Sequence, residues 1–132
     1  MKQSPLLVFE SAAFAVIPGE DEQTNPGIVG KSLALWLAEQ LRLAGFSAGE
    51  IIAEDFGWCI PVDANSHSLY VACAGTREKQ DQWRVFAFAE GGMIARLRGK
   101  DRSAESLATL FAAVRRCIES APSIRGLREE FT

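Results

Sequence analysis

Histidine is nearly absent from this 132-residue chain: His67 is the single one. With no second imidazole, no His-x-x-x-His pair exists to seed a zinc site. Cysteine is scarce and odd in number. Cys59, Cys73 and Cys117 form no Cys-x-x-Cys pair. A chain of this size buries about two-thirds of its unfolded surface without covalent staples. The three thiols therefore read as reduced cysteines of a cytoplasmic protein. No apolar run approaches the ~20 residues that a spanning helix needs, so no membrane partner is expected. Positive charge is not in excess. The formal net charge is -3, which excludes binding driven by phosphate neutralisation, so no nucleic-acid partner is expected. Arg96, Arg98, Lys100 and Arg102 make only a local basic patch. The first twenty residues superficially resemble a secretory leader. Glu10 and Ser11 interrupt the apolar stretch, and Lys2 is its only basic residue, so it reads as a strand.

What the chain does hold is apolar periodicity. Aliphatic and aromatic residues are frequent enough for a single folded domain over 1–132, with no room for two. The longest helical pattern spans residues 26–45. Val29, Leu33, Trp36, Leu37, Gln40, Leu41 and Ala44 share one face, and Leu35 and Leu43 fall on a second flank. Asn25 is a good N-cap with Pro26 behind it, although Gly30 allows a start near Lys31. Gly45 suits the left-handed stop. Residues 6–17 are apolar on both alternating sets and predict a strand covered on both faces. Short strands follow at 51–53 and 58–63, joined by a turn at 54–57. Pro61 implies an edge or a bulge. Residues 69–74 and 83–90 are further strands, separated by a charged loop at 75–81. Residues 93–97 suit either a last strand or a helix start. Ser103 opens a second helix with Leu107, Leu110, Phe111, Val114 and Ile118 on its stripe. Residues 123–132 read as a flexible tail that Ile124, Leu127 and Phe131 can dock.

The expected fold is α+β. It is a two-layer sandwich of mostly antiparallel sheet with two helices on one face, in the order β-α-β-β-β-β-α. Two helices cover one sheet face only. Trp83, Val85, Ala87 and Ala89 alternate with Arg84, Phe86, Phe88 and Glu90, and both sets are substantially apolar. One face is thus expected to expose aromatic rings, which soluble monomers usually avoid. Arg84, Phe86 and Phe88 become candidate interface residues.

The chemical motifs are weak. Residues 27–32, GIVGKS, sit between strand and helix but lack the first glycine of a phosphate-cradling loop. Asn25 stands there, and Pro26 removes a donor. The thiols are flanked by apolar residues and read as structural. Glu20, Asp21, Glu22, Glu54 and Asp55 match no cation-loop spacing and read as solvated loop charge. No catalytic residue, metal or cofactor is assigned. The strongest surface-site candidates are Glu54, Asp55 and Trp58 in the acidic turn, with Asn25 and Lys31 at the helix start.

Asn25-Pro26-Gly27, Gly30-Lys31, Leu33-Ala34, Trp36-Leu37 and Gln40-Leu41, followed by Glu54-Asp55 and Gly57-Trp58-Cys59, resemble a family of small uncharacterised bacterial proteins. The likeness covers the first half of the chain and, loosely, residues 83–92. It implies a bacterial, cytosolic, single-domain protein and transfers no activity. The leading expectation is a non-enzymatic protein–protein interaction module, immunity-like or adaptor-like, that self-associates or binds another protein through its open sheet face. The alternative is a small-ligand-binding domain that uses the space between helices and sheet.

Overall fold

A computed structural model describes residues 2–64, 67–89 and 103–131. In chain order the elements are β1 (Lys2–Gln3), β2 (Leu6–Glu10), a single 3-10 turn (Glu20–Glu22), β3 (Ile28–Val29), α1 (Lys31–Leu43), β4 (Ser47–Ala48), β5 (Ile52–Glu54), β6 (Gly57–Ala64), β7 (His67–Thr76), β8 (Lys79–Ala89), α2 (Ser103–Glu119) and β9 (Arg125–Glu130). The strands form one antiparallel sheet in the order β4-β6-β7-β8-β2-β9. β5 shares the outer edge of β6, β1 pairs β8, and β3 pairs the end of β7.

Strand alternation divides the side chains between two faces. Leu7, Phe9, Trp58, Ile60, Val62, Leu69, Val71, Cys73, Trp83, Val85, Ala87 and Ala89 join the buried residues of both helices in one core. α1 contributes Leu33, Ala34, Leu37, Ala38 and Leu41; of the expected stripe Leu33, Leu37 and Leu41 are buried, Trp36 and Gln40 are half-buried, Ala44 is exposed and Val29 lies in β3 before the helix. Fully burying each leucine contributes about 1.5–3 kcal/mol. Leu35 and Leu43 are exposed, as their flank position predicts. α2 buries Leu107, Leu110, Val114 and Ile118. The α+β class and the antiparallel sheet agree with the sequence reading.

Several details differ. The strand expected over 6–17 stops at Glu10. Ser11 turns the chain: its hydroxyl donates to the Pro122 carbonyl at 2.7 Å and accepts the Ala13 N–H at 3.2 Å. A serine hydroxyl that engages backbone offers an alternative to the ladder. The Ser11 carbonyl accepts the Trp83 indole N–H at 2.9 Å. Phe14 then drops into the core against Trp36 and Trp83. The supposed tail is strand β9, paired to β2. The charged loop expected at 75–81 is a tight hairpin in which Thr76 faces Lys79. The observed order therefore adds strands β1, β3, β4 and β9 to the expected series. Pro61 lies on β6 opposite the gap between β4 and β5, so its missing N–H interrupts no ladder. The expectations for Glu90 and for residues 91–102 lie outside the described residues. Among the described residues, no helix is long and apolar enough to cross a membrane.

Candidate functional site

The second sheet face carries its own small apolar cluster. Cys59, Ala72 and Phe88 are buried, with Tyr70 and Phe86 packed against them. Register explains the grouping. Tyr70 faces Phe88 across the β7–β8 ladder, Ala72 faces Phe86, and Cys59 faces Ala72 across β6–β7. The Tyr70 and Phe88 rings stack at 5.2 Å, and Phe86 meets Phe88 at 5.7 Å. Phe56 adds a ring from the turn between β5 and β6. It folds back over the sheet to stack on Phe86 at 6.2 Å and meets Phe88 edge-on at 6.1 Å. Such ring separations are attractive.

Together these rings wall a groove of about 430 Å³, bounded also by Gln3, Ile52, Glu54 and Cys59. That size falls within the range of small-molecule sites. Its floor is closed, since Phe88 is only 8% exposed and Cys59 1%. Its outer wall is open, since Ile52 and Phe56 are each 43% exposed. The Cys59 thiol is pushed up to about 12 by burial, with the Glu54 charge adding to the rise. It is a neutral thiol at physiological pH, not a nucleophile. Burial also raises the Cys73 and Cys117 thiols.

The turn that carries Phe56 depends on Gly57. Its φ is 154°, and an added Cβ would lie 2.6 Å from the Cys73 carbonyl oxygen. A Cβ added at Gly30, whose φ is 149°, would lie 2.5 Å from the same carbonyl oxygen. The two glycines let the β5–β6 hairpin and the start of α1 close against one point of β7.

Gly30, not Asn25, precedes α1, and it supplies no side-chain cap. Glu20 does that work from a distance. One of its carboxylate oxygens accepts the Gly30 and Lys31 N–H groups at 2.8 and 2.9 Å, and the other accepts Ile17 N–H at 2.6 Å. Glu20 is 2% exposed, so it is no solvated loop charge. An anion at a helix N-terminus meets aligned N–H dipoles. The place a phosphate would take in a nucleotide-binding loop is filled by the protein's own carboxylate. Asp21 is likewise engaged, accepting Gly27 N–H at 3.0 Å and Arg77 at 2.8 Å.

The residues singled out in the sequence divide between the two faces. Asn25 meets the acidic turn, its N–H donating to the Asp55 carbonyl at 3.0 Å. Lys31 Nζ sits 5.0 Å above the Trp58 ring, a cation–π distance. Trp58 is 3% exposed and belongs to the core, not to a surface anchor. Glu54, one register position away, is turned to the opposite face and borders the groove. Arg84 is exposed and Phe86 half-buried. Phe88 is buried, so the aromatic patch expected to lie open is in large part closed by the chain's own rings. Between helices and sheet, where the alternative reading expects a ligand, the described residues of both layers pack into one core. Ile52, Phe56, Cys59 and Tyr70 were not named as site residues. The available signal is strand alternation, which puts Tyr70 of β7 on the same face as Phe86 and Phe88 of β8.

No family model matches the sequence, and no curated protein or solved structure is detectably similar to it. Among the described residues, no three His, Cys, Asp or Glu side chains converge as metal ligands do.

Proposed function

We propose that this protein is a non-enzymatic binding module whose recognition site is the aromatic groove on the sheet face opposite the helices. The observation that carries this reading is the concavity itself. A closed aromatic floor with an open rim accepts an inserted group and removes it from water. The raised Cys59 thiol and the engaged Glu20 carboxylate favour binding over covalent or phosphoryl chemistry. Titration with a neutral aromatic probe, benzyl alcohol, tests the reading through backbone amide shifts. The expected result is a cluster of shifts at Ile52, Cys59, Tyr70, Phe86 and Phe88. Shifts scattered over the surface, or confined to the helices, would remove the groove from consideration.

A second reading is self-association or the binding of another protein through the same face, as an immunity-like or adaptor-like module. Ile52 and Phe56 favour it, because both project from the hairpin beside the groove. Light scattering over a concentration series separates the two. A monomer with probe-induced shifts supports the groove as a ligand site. A dimer in which those shifts are lost supports the protein partner.

A further inference from the structure

We propose that the groove takes an organic cation with an apolar body, an aryl- or alkyl-substituted ammonium, with its charge between the aromatic rings and Glu54. This rests on the reading of the groove as a ligand site and names the class of ligand.

Three observations point to that chemistry. First, the walls are Phe56, Tyr70, Phe86 and Phe88. Ring faces carry negative electrostatic potential and attract cations, most strongly when the charge is spread and weakly hydrated. Second, among the described residues the formally charged one lining the groove is a carboxylate. Glu54 borders the groove and makes no ion pair among the described residues, whose bridges involve other side chains. Its field reaches the floor, since it contributes to the raised Cys59 thiol. Third, among the described residues no lysine or arginine side chain lines the groove. Arg84 lies on β8 two positions before Phe86, at the margin of the groove and three strands across the sheet from Glu54 on β5, and borders the neighbouring surface that shares Phe56. Lys79 and Arg128 line the neighbouring surface with Arg84, Glu78 and Glu130, not this groove. A partly buried ring cluster beside a carboxylate that has no ion pair among the described residues disfavours anions and favours a cation over its neutral isostere.

The neutral isostere is therefore the decisive control. Phenyltrimethylammonium and tert-butylbenzene have the same shape and differ in charge. Each is titrated into the full chain, with amide shifts of Ile52, Cys59 and Tyr70 as readout. The cation is expected to bind about fivefold or more tightly than the hydrocarbon. Glu54→Gln is expected to weaken the cation about threefold and leave the hydrocarbon unchanged. Phe56→Ala is expected to weaken both. Glu54 is an exposed edge residue, so an unchanged melting temperature checks that its variant folds. Equal affinities for the two probes in the native protein would overturn the cation assignment and leave the apolar groove standing. Binding of neither probe would overturn both. Cation binding that Phe56→Ala and Glu54→Gln leave untouched would place the ligand elsewhere and overturn the proposal.

Discussion

Glu20 does more for this fold than its place in an acidic loop suggests. Three backbone N–H groups, from Ile17, Gly30 and Lys31, converge on its carboxylate. Glu20→Ala leaves all three without an acceptor in a buried setting, where each unmet group costs about 1–3 kcal/mol. Water entering the vacated space recovers part of this. The expected loss is about 3 kcal/mol, read as a lower urea midpoint with an unchanged slope. Glu20→Gln keeps an acceptor and is expected to lose less than half as much. Equal stability of the alanine variant would mean that the carboxylate is dispensable. The cysteines give a second residue-scale prediction, in alkali. Cys59 titrates at about 12 in the fold against 9.0 for an ordinary thiol, chiefly through burial, and Cys73 is raised as well. Above pH 9 the unfolded chain releases thiol protons that the folded chain retains, so the unfolded state is favoured. The contribution is fully present below pH 9 and is lost as pH rises toward 12. Cys59→Ala is expected to flatten the fall in melting temperature between those limits. A fall equally steep in the variant would contradict the assignment.

At the scale of elements, the β5–β6 hairpin depends on one residue. Gly57 holds a backbone angle that side-chain-bearing residues rarely adopt, hard against the Cys73 carbonyl. Gly57→Ala is expected to cost about 2 kcal/mol or more, lowering the melting temperature by about 4–8 °C. It should also displace Phe56 and weaken probe binding, a joint effect that a purely local defect elsewhere would not produce. The hairpin also shows what was legible from sequence. Its turn, its strands and the α1 stripe follow from periodicity and turn residues, which act locally. The end of β2 does not. Residues 11–17 alternate like a strand, but Ser11 bonds to Pro122, 111 positions away. No local pattern carries that contact. β9 was hidden for a similar reason. Arg125–Glu130 is highly charged, and its strand character comes from pairing with β2 and from the Arg115–Glu129 ion pair at 2.7 Å. The site was half visible. Phe86 and Phe88 were found by alternation, whereas Phe56 enters the groove through a turn whose direction only tertiary packing sets.

For the whole molecule, the question is whether two helices and one sheet leave an apolar face that needs a companion. Strand alternation, with two helices to cover one face, leads one to expect that they do. Phe56 changes the balance, because its ring lies over Phe86 and Phe88 and leaves Phe88 almost inaccessible. The charges around this surface, Glu54, Arg84, Arg128 and Glu130, add desolvation cost to any flat contact. A stable interface buries about 1,000 Å² or more with good complementarity. Among the described residues, Ile52 and Phe56 are the large apolar side chains around the groove that are substantially exposed, and two such anchors suit a small or transient contact better than a stable dimer. Phe56→Ala separates the possibilities. Without that ring the face regains the open aromatic patch first anticipated, and such patches associate. The native protein is expected to scatter as a monomer across a concentration series and to enhance a hydrophobic dye weakly. The variant is expected to enhance the dye strongly and to gain mass with concentration. If the native protein is already a dimer and Phe56→Ala dissociates it, then Phe56 is an anchor for a second copy and not a cover for its own sheet.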